Sequence, residues 1–372
     1  MQHTKCYKRD YPRPQFVRDN WINLNGSWDF AFDRDDSGEN KGYQNGFEAQ
    51  KKINVPFAYQ CAASGIGNAE MCQNIWYKRT FVMDDIGLNR LLLHFEGSDY
   101  LTKVWVNGKY CGSEVGGYHR LTFDITSAAV QGNNTLVVKV FDSYSRIYKT
   151  VWLEVVPQTY LSEVKLTPNL ESKGLEIRFT LNQPYKNAVV AACAYWQGKA
   201  VGETLIDVCD TCGYGFLSLD EVNLWQVGQG GLYDLKLQLK ADDKVVDEAE
   251  SYFGMREICI RDGKILLNGK PLYQRLVLDQ GYWENCDLTP PDEDALKKDL
   301  TDCMAMGFNG CRKHEKVEDE RFLYYADVYG YIVWAEMPSV YAFTEVSRET
   351  LLTEWKKVVA AQYNHPCVLT WV

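Results

Sequence analysis

The chain has 372 residues, 46% of them hydrophobic and 24% charged, with a formal net charge of −10. That length exceeds one ordinary core and points to two or three domains. The acidic balance argues against nucleic acid as a partner, which needs a basic face, and no apolar run approaches the roughly 20 residues that span a bilayer.

The N-terminal stretch, MQHTKCYKRDYPRP, contains no apolar segment of the signal-peptide kind. This points to a cytoplasmic protein, although a mature secreted form would read the same. From Trp21 to about Pro157 the pattern is of short strands. LNGSWDFAF alternates and carries a turn signal at Asn25-Gly26. NIWYKRTFVM, RLLLHFEGS, LTKVWVNGKY, HRLTFDIT and NTLVVKVFD follow at close spacing, and Asn107-Gly108 reads as a hairpin turn. Residues 1–157 are therefore expected to form a jelly-roll sandwich.

Residues 158–253 continue with strands (GLEIRFTLN, AVVAACAYWQGKAV, GLYDLKLQLKADDKVVDEAESYF), in an amount that suits one immunoglobulin-like sandwich. After Gly254 strands and helices alternate. KPLYQRLVLDQ reads as a strand, and TPPDEDALKKDLTDCMAM as a helix with Leu296, Leu300 and Met304 on one face. GFNGCRKH is a strand, EDERFLYYADVYG a helix ending at Gly330, and YIVWAEM a strand. SRETLLTEWKKVVAAQYN is a helix with Leu351, Leu352, Trp355 and Val359 on one face, and CVLTWV is a fourth strand. Such alternation predicts a parallel sheet, and residues 254–372 are expected to be the first half of a (β/α)8 TIM barrel. A strand as apolar as CVLTWV suits a sheet edge badly, so the sequence is expected to be cut within a longer barrel.

Twelve cysteines in a chain of this length, without a secretion signal, are read as free thiols. Cys209 and Cys212 form the one CxxC, and no second ligand pair accompanies them; HEKVE at 314–318 lacks the second histidine of a zinc-protease motif. No metal and no cofactor is expected.

The order jelly roll, immunoglobulin-like sandwich, barrel, with LNGSWDF, VPFAYQ, WYKRTF, VWVNGKYCG, GGYHRLTFDIT, VWLE, GLYDLKLQL, MGFNGCRKHEKVED and YNHPCVLTWV in collinear positions, resembles glycoside hydrolase family 2, the β-galactosidase, β-glucuronidase and β-mannosidase group. The resemblance implies a retaining, exo-acting β-glycosidase, with a β-galactoside as the expected substrate. Two glutamates act in that family from the C-terminal ends of barrel strands. Its acid/base glutamate follows an asparagine just beyond the HPxxxxW strand, and its nucleophile lies on a later strand, so neither catalytic residue is expected among these 372 and the fragment is expected to be inactive. The alternative is a non-catalytic carbohydrate-binding protein that uses jelly-roll aromatics such as Tyr100, Tyr118 or Trp105. The family leaves the oligomeric state open, with dimers and tetramers frequent.

Active sites of such barrels lie at the strands' C-terminal ends, which nominates four substrate-binding candidates here. By motif, His314 matches a histidine lining the family's sugar subsite; the competing reading is a satisfied core histidine. Glu336 either contacts substrate or braces Arg312, which would then act as a support for the site. Asp279 ends the first strand, where relatives commonly read LRGVNRH. Trp371 is either pocket floor or barrel filling. In VFDSYSRIYKTVWLE the loop that reaches toward the active site in relatives is short, and Arg146 replaces an expected glycine, so no substrate contact is assigned to the jelly roll.

Overall fold

Ten strands in the first segment make two facing antiparallel sheets in a computed structural model that describes residues 4–372. They are β1 (Trp21–Asn23), β2 (Gly26–Phe32), β3 (Lys51–Val55), β4 (Asn74–Met83), β5 (Arg90–Phe95), β6 (Ser98–Val106), β7 (Lys109–Val115), β8 (Leu121–Asp124), β9 (Gly132–Ile147) and β10 (Val151–Val156). One sheet runs β1-β10-β5-β8 and the other β3-β2-β4-β9-β6-β7. Alternation sends Trp28, Phe30, Tyr77, Leu91, Leu93, Leu136, Val138 and Leu153 into the core between them. The opposite parity of the larger sheet is apolar too, because Tyr43 and Phe47 fold over Trp76, Trp105 and Val137 on its outer face. Asn107 and Gly108, at φ 52° and 75°, close the β6–β7 hairpin as a turn that needs left-handed residues at both positions.

The second segment carries β11 (Leu161–Asn169), β12 (Gly174–Leu181), β13 (Ala188–Trp196), β14 (Lys199–Asp207), β15 (Cys212–Ser218), β16 (Tyr233–Ala241) and β17 (Lys244–Phe253). They form sheets β11-β12-β15 and β14-β13-β16-β17. Their inward residues, including Ile177, Phe179, Val190, Ala192, Leu217, Leu235 and Leu237, make one core.

A small antiparallel sheet, β18 (Ile258–Arg261), β19 (Lys264–Leu267) and β20 (Lys270–Pro271), follows. Then come β21 (Leu276–Asp279), α1 (Glu293–Ala305), β22 (Gly310–Lys313), α2 (Glu320–Tyr329), β23 (Ile332–Ala335), α3 (Glu345–Gln362) and β24 (Val368–Trp371), with the four strands parallel in sequence order. Each helix starts on a side-chain cap: Asp292 accepts from the Ala295 amide, Asp319 from Arg321, and Thr344 and Ser347 cap each other reciprocally. Among the described residues no helix is long and apolar enough to cross a membrane.

Two sequence expectations need correction. KPLYQRLVLDQ is not one strand: Asn268 and Gly269 turn Lys270-Pro271 back onto β19, and the parallel strand begins only at Leu276. The apolar stripe read on α3 is only half-buried and is not the most buried one. Leu352 is exposed, and the buried stripe is Glu354, Val358 and Gln362. Glu354 is buried because it accepts hydrogen bonds from the jelly roll, from the Tyr118 amide at 2.5 Å and at 3.1 Å from His119 Nδ1.

Segments distant in sequence are joined by buried ions. Arg18, on the N-terminal segment, pairs with Glu154 of β10 at 2.9 Å and with Asp247 of β17 at 2.7 Å, all three nearly inaccessible. Arg120, the last residue of the β7–β8 connection, pairs with Glu96 at 2.6 Å and with Glu320 of α2 at 2.7 Å. The Arg18 cluster thus joins the N-terminal segment to both sandwiches, and the Arg120 cluster joins the first sandwich to α2.

Candidate functional site

Parity along the parallel strands decides which side chains are available at their C-terminal ends. The row Val277, Cys311, Val333 and Val368 packs under the helices with Leu296, Leu300, Phe322 and Leu323. The row Asp279, Lys313, Ala335 and Trp371 lies on that same face, and Leu278, Arg312, Trp334 and Thr370 lie on the other.

Trp371 therefore meets α3, edge-on to Trp355 at 5.7 Å between rings, and is neither pocket floor nor filling of the opposite face. Asp279 is likewise turned away. Its carboxylate pairs with the buried ammonium of Lys313 and accepts the Gly281 amide at 2.7 Å. Lys313 also pairs with Glu318 at 2.8 Å, and Glu318 with Lys316 at 3.2 Å. Burial opposes charge on Lys313, but Glu318 and Asp279 outweigh it and hold the ammonium protonated well above its ordinary range. Burial likewise opposes Glu318, and the two lysines overcome it, holding its carboxyl well below the usual range. On Lys316 burial wins and its pKa falls. This network was missed at the sequence level. Its signal is the alternation of charges in RKHEKVEDER, which an exposed helix turn would show equally well.

Arg312, His314 and Glu336 are the candidates that share the other face. Glu336, 6% exposed, accepts from Arg312 Nε at 2.6 Å and from Arg312 Nη2 at 3.1 Å, and takes the Glu315 amide at 3.2 Å. Its two oxygens are committed, so its observed role is to brace Arg312 in a bidentate fork. The pair raises the pKa of Arg312. His314 is half-buried; its amide donates to the Asp279 carbonyl at 2.8 Å, and its Nδ1 lies 3.4 Å from the Gln280 amide nitrogen. With Gln280 donating, the neutral ring carries its proton on Nε2 and can offer it to a hydroxyl. Beside it, Glu315 accepts from the hydroxyl of Tyr341 at 3.0 Å, and Tyr341 and Phe343, both strongly exposed, stand on the loop after β23. These aromatics were not among the residues nominated from sequence, because nothing in VYAF distinguishes an exposed loop from a strand.

The jelly roll supports this end of the sheet. Arg146 lies 3.5 Å from Asp99 of β6 and 3.4 Å from Asp287 in the loop after β21. Burial pushes the Asp99 carboxyl up to about 6 against the pull of Arg146. Thr289 donates to the Tyr148 carbonyl at 2.6 Å, and the Ala63 amide donates to the Asn285 carbonyl at 2.9 Å. The loop after β21 is thus fastened to the first sandwich at three points. None of the aromatics offered for jelly-roll glycan binding is exposed: Tyr100 and Tyr118 are half-buried, and Trp105 stacks on Trp76 at 5.5 Å.

Asp327, His365 and Cys367 bring three potential metal-ligand atoms together in the interior. Each is already engaged. Asp327 pairs with His365 Nδ1 at 2.6 Å and accepts from Tyr252 at 2.8 Å and from the Cys367 amide at 2.8 Å, and the Cys367 thiol meets the Leu323 carbonyl at 3.5 Å. The donor set fits a tie between β17, α2 and the entry to β24 and does not fit an ion.

Comparison with known proteins agrees with this architecture. Residues 22–154 match the profile of the glycosyl hydrolases family 2 sugar binding domain, and residues 159–256 match that of glycosyl hydrolases family 2. The chain is 27% identical over 350 residues to a putative beta-glucuronidase of Formosa agariphila, covering 86% of this chain and 42% of that protein. It is 25% identical over 337 residues to a beta-galactosidase of Thermoanaerobacter pseudethanolicus, covering 80% and 44%. The chain thus spans less than half the length of these two relatives. In fold it superposes on the crystal structure of Ruminococcus gnavus beta-glucuronidase with a TM-score of 0.86 at 21% identity, over 98% of this chain and 68% of that one.

Proposed function

We propose, from the premise that this chain belongs to glycoside hydrolase family 2, that it forms the N-terminal portion of a retaining, exo-acting β-glycosidase acting on a carbohydrate substrate. The observation that carries the reading is the order of parts: two sandwiches matching the family, then parallel β/α units whose strand ends gather Arg312, His314 and Glu336 on one face. The four parallel strands are read as the first half of a (β/α)8 barrel, with the domain limits 1–157, 158–253 and 254–372.

A retaining mechanism uses two carboxyl groups about 5–5.5 Å apart, one attacking the anomeric carbon while the other protonates the leaving oxygen. Glu336 does not meet that description, since both its oxygens are held by Arg312 and the Glu315 amide. In this reading the catalytic glutamates follow the strand of Trp371, as they do in the family, and residues 1–372 alone hydrolyse nothing. His314 Nε2 offers a hydrogen bond to a sugar hydroxyl, Arg312 and Glu336 keep that wall rigid, and Tyr341 and Phe343 give a sugar or aglycone an apolar face.

A β-galactoside is the expected substrate, with a β-glucuronide as the first competitor because relatives of both descriptions are similar to this chain. The test is turnover of chromogenic β-galactoside, β-glucuronide and β-mannoside by the full-length protein, with the first-formed anomer followed by proton NMR. Hydrolysis that releases the β-anomer first is expected. No turnover across the panel, or the α-anomer first, would overturn the proposal.

A further inference from the structure

The Cys209-Asp210-Thr211-Cys212 turn plays no part in the proposed site, yet it differs from every other cysteine position in the chain. Of the twelve free cysteines, Cys209 and Cys212 are the two that are exposed. Their backbones exchange both hydrogen bonds across the turn from β14 to β15, Cys209 N to Cys212 O at 2.7 Å and Cys212 N to Cys209 O at 3.0 Å. A pair in that register holds its Cα atoms about 5.5 Å apart with both side chains on one face. A disulfide accepts Cα atoms about 4.4–6.8 Å apart, most often about 5.5–6 Å, so this separation lies within its range.

The turn is also held in that register from outside. Leu181 N donates to the Thr211 carbonyl at 2.6 Å, Tyr185 N donates to the Asp210 carbonyl at 3.1 Å, and Cys212 is paired with Thr180 of β12. Asp210 takes the left-handed conformation that the tight connection needs, at φ 59°. The Cys212 sulfur already leans back over the turn, 3.6 Å from the Cys209 carbonyl. Elsewhere burial works against thiol chemistry: it pushes Cys6 up to about 12 and raises Cys311 and Cys367 as well.

We propose that Cys209 and Cys212 form a redox-modification site, a dithiol that closes reversibly into an intramolecular disulfide by exchange with a low-molecular-weight disulfide. One cysteine thiolate attacks the small disulfide, forming a mixed disulfide and expelling one small thiolate, which takes up the proton the cysteine lost. The second cysteine then attacks the mixed disulfide at its own partner's sulfur and releases the second small thiol. The protein dithiol loses two electrons and two protons, and the small disulfide gains both as two thiols. The closed bond staples the turn between β14 of one sheet and β15 of the other.

The test equilibrates the whole chain in mixtures of reduced and oxidised glutathione, traps free thiols by alkylation and maps the peptide carrying both cysteines by mass spectrometry. The two positions are expected to lose their alkyl groups together, with loss of two hydrogen masses, and to recover them in dithiothreitol. The ratio of dithiol to disulfide should change about tenfold per 30 mV of poise, as a two-electron couple requires. C209S and C212S should each stop at a glutathione adduct on the remaining thiol. Both cysteines staying alkylatable in fully oxidised glutathione, or carrying two separate adducts in the unsubstituted chain, would overturn the assignment.

Discussion

His119 Nδ1 lies 3.1 Å from Glu354 Oε1, and these two residues, buried and 235 positions apart, are where the first sandwich meets the last helix. On its other side the ring lies 3.1 Å from Glu114 Oε1, and Lys357 reaches both Glu114 at 2.6 Å and the imidazole at 2.9 Å. Burial disfavours the imidazolium, but the hydrogen bonds to Glu114 and Glu354 outweigh burial and Lys357, and the pKa of His119 is raised above 6.5.

Stability at this junction should therefore depend on pH. A histidine whose folded pKa is raised stabilises the fold fully below its unfolded value and ceases to do so as pH rises through the folded value. The melting temperature is expected to fall as pH rises above about 6.5, the ordinary histidine value, and to fall less in His119→Gln. Calorimetry across that range checks it, and an equal slope in both proteins would remove His119 as the cause.

How far the sequence reveals this junction follows from the range of its interactions. The β/α alternation after Gly254 is legible because each element's periodicity is local, and Asp292, Asp319, Thr344 and Gly330 mark helix ends from within their own segments. The buried face of α3 is not legible, since Glu354 is interior only because Tyr118 and His119 come to meet it. Asp279 and Trp371 stand at the strand ends where the sequence puts them, but on the helix-facing side, and strands as short as LVLD and VLTW carry no clean alternation that assigns their two faces. Arg312 and Glu336 were legible as a pair because both close adjacent strands of one parallel sheet.

Arg18 should be the most sensitive single position for stability. Its guanidinium satisfies Asp247 through two nitrogens, Glu154 through a third contact at 2.9 Å and the Leu161 carbonyl at 2.8 Å, and Glu154 also meets His94 at 3.2 Å. Arg18→Met leaves two buried carboxylates uncompensated, a loss of about 3–5 kcal/mol. Urea unfolding should show that loss, and a change below about 1 kcal/mol would mean that the cluster adds no net stability.

Glu336→Gln in the full-length enzyme should reduce kcat/KM on the order of 10²-fold, because Arg312 then meets a neutral amide with one acceptor oxygen in place of a carboxylate with two, and the wall carrying His314 loosens. Urea unfolding should move little, since the Arg312 side chain is more than a third exposed. Steady-state kinetics on the substrate identified by the panel checks this, and an unchanged kcat/KM would place the pair outside the sugar-binding wall.

Gly330 shows how a helix end becomes a docking point. It closes α2 at φ 71°, a conformation that costs an ordinary residue about 1–2 kcal/mol. Its carbonyl also accepts the Gly228 amide at 2.9 Å, and a Cβ placed on it would come within 2.2 Å of the Gln226 carbonyl oxygen. The obstacle is backbone on both sides, so no rotamer change relieves it. Gly330→Ala is therefore expected to cost more than the conformational term alone, and Gly330→Asn, which tolerates the left-handed region, should be no better because it carries the same Cβ. If urea unfolding found Gly330→Asn close to the unsubstituted chain and Gly330→Ala alone destabilised, the dihedral angle and not the contact with the 226–230 loop would be what requires glycine here.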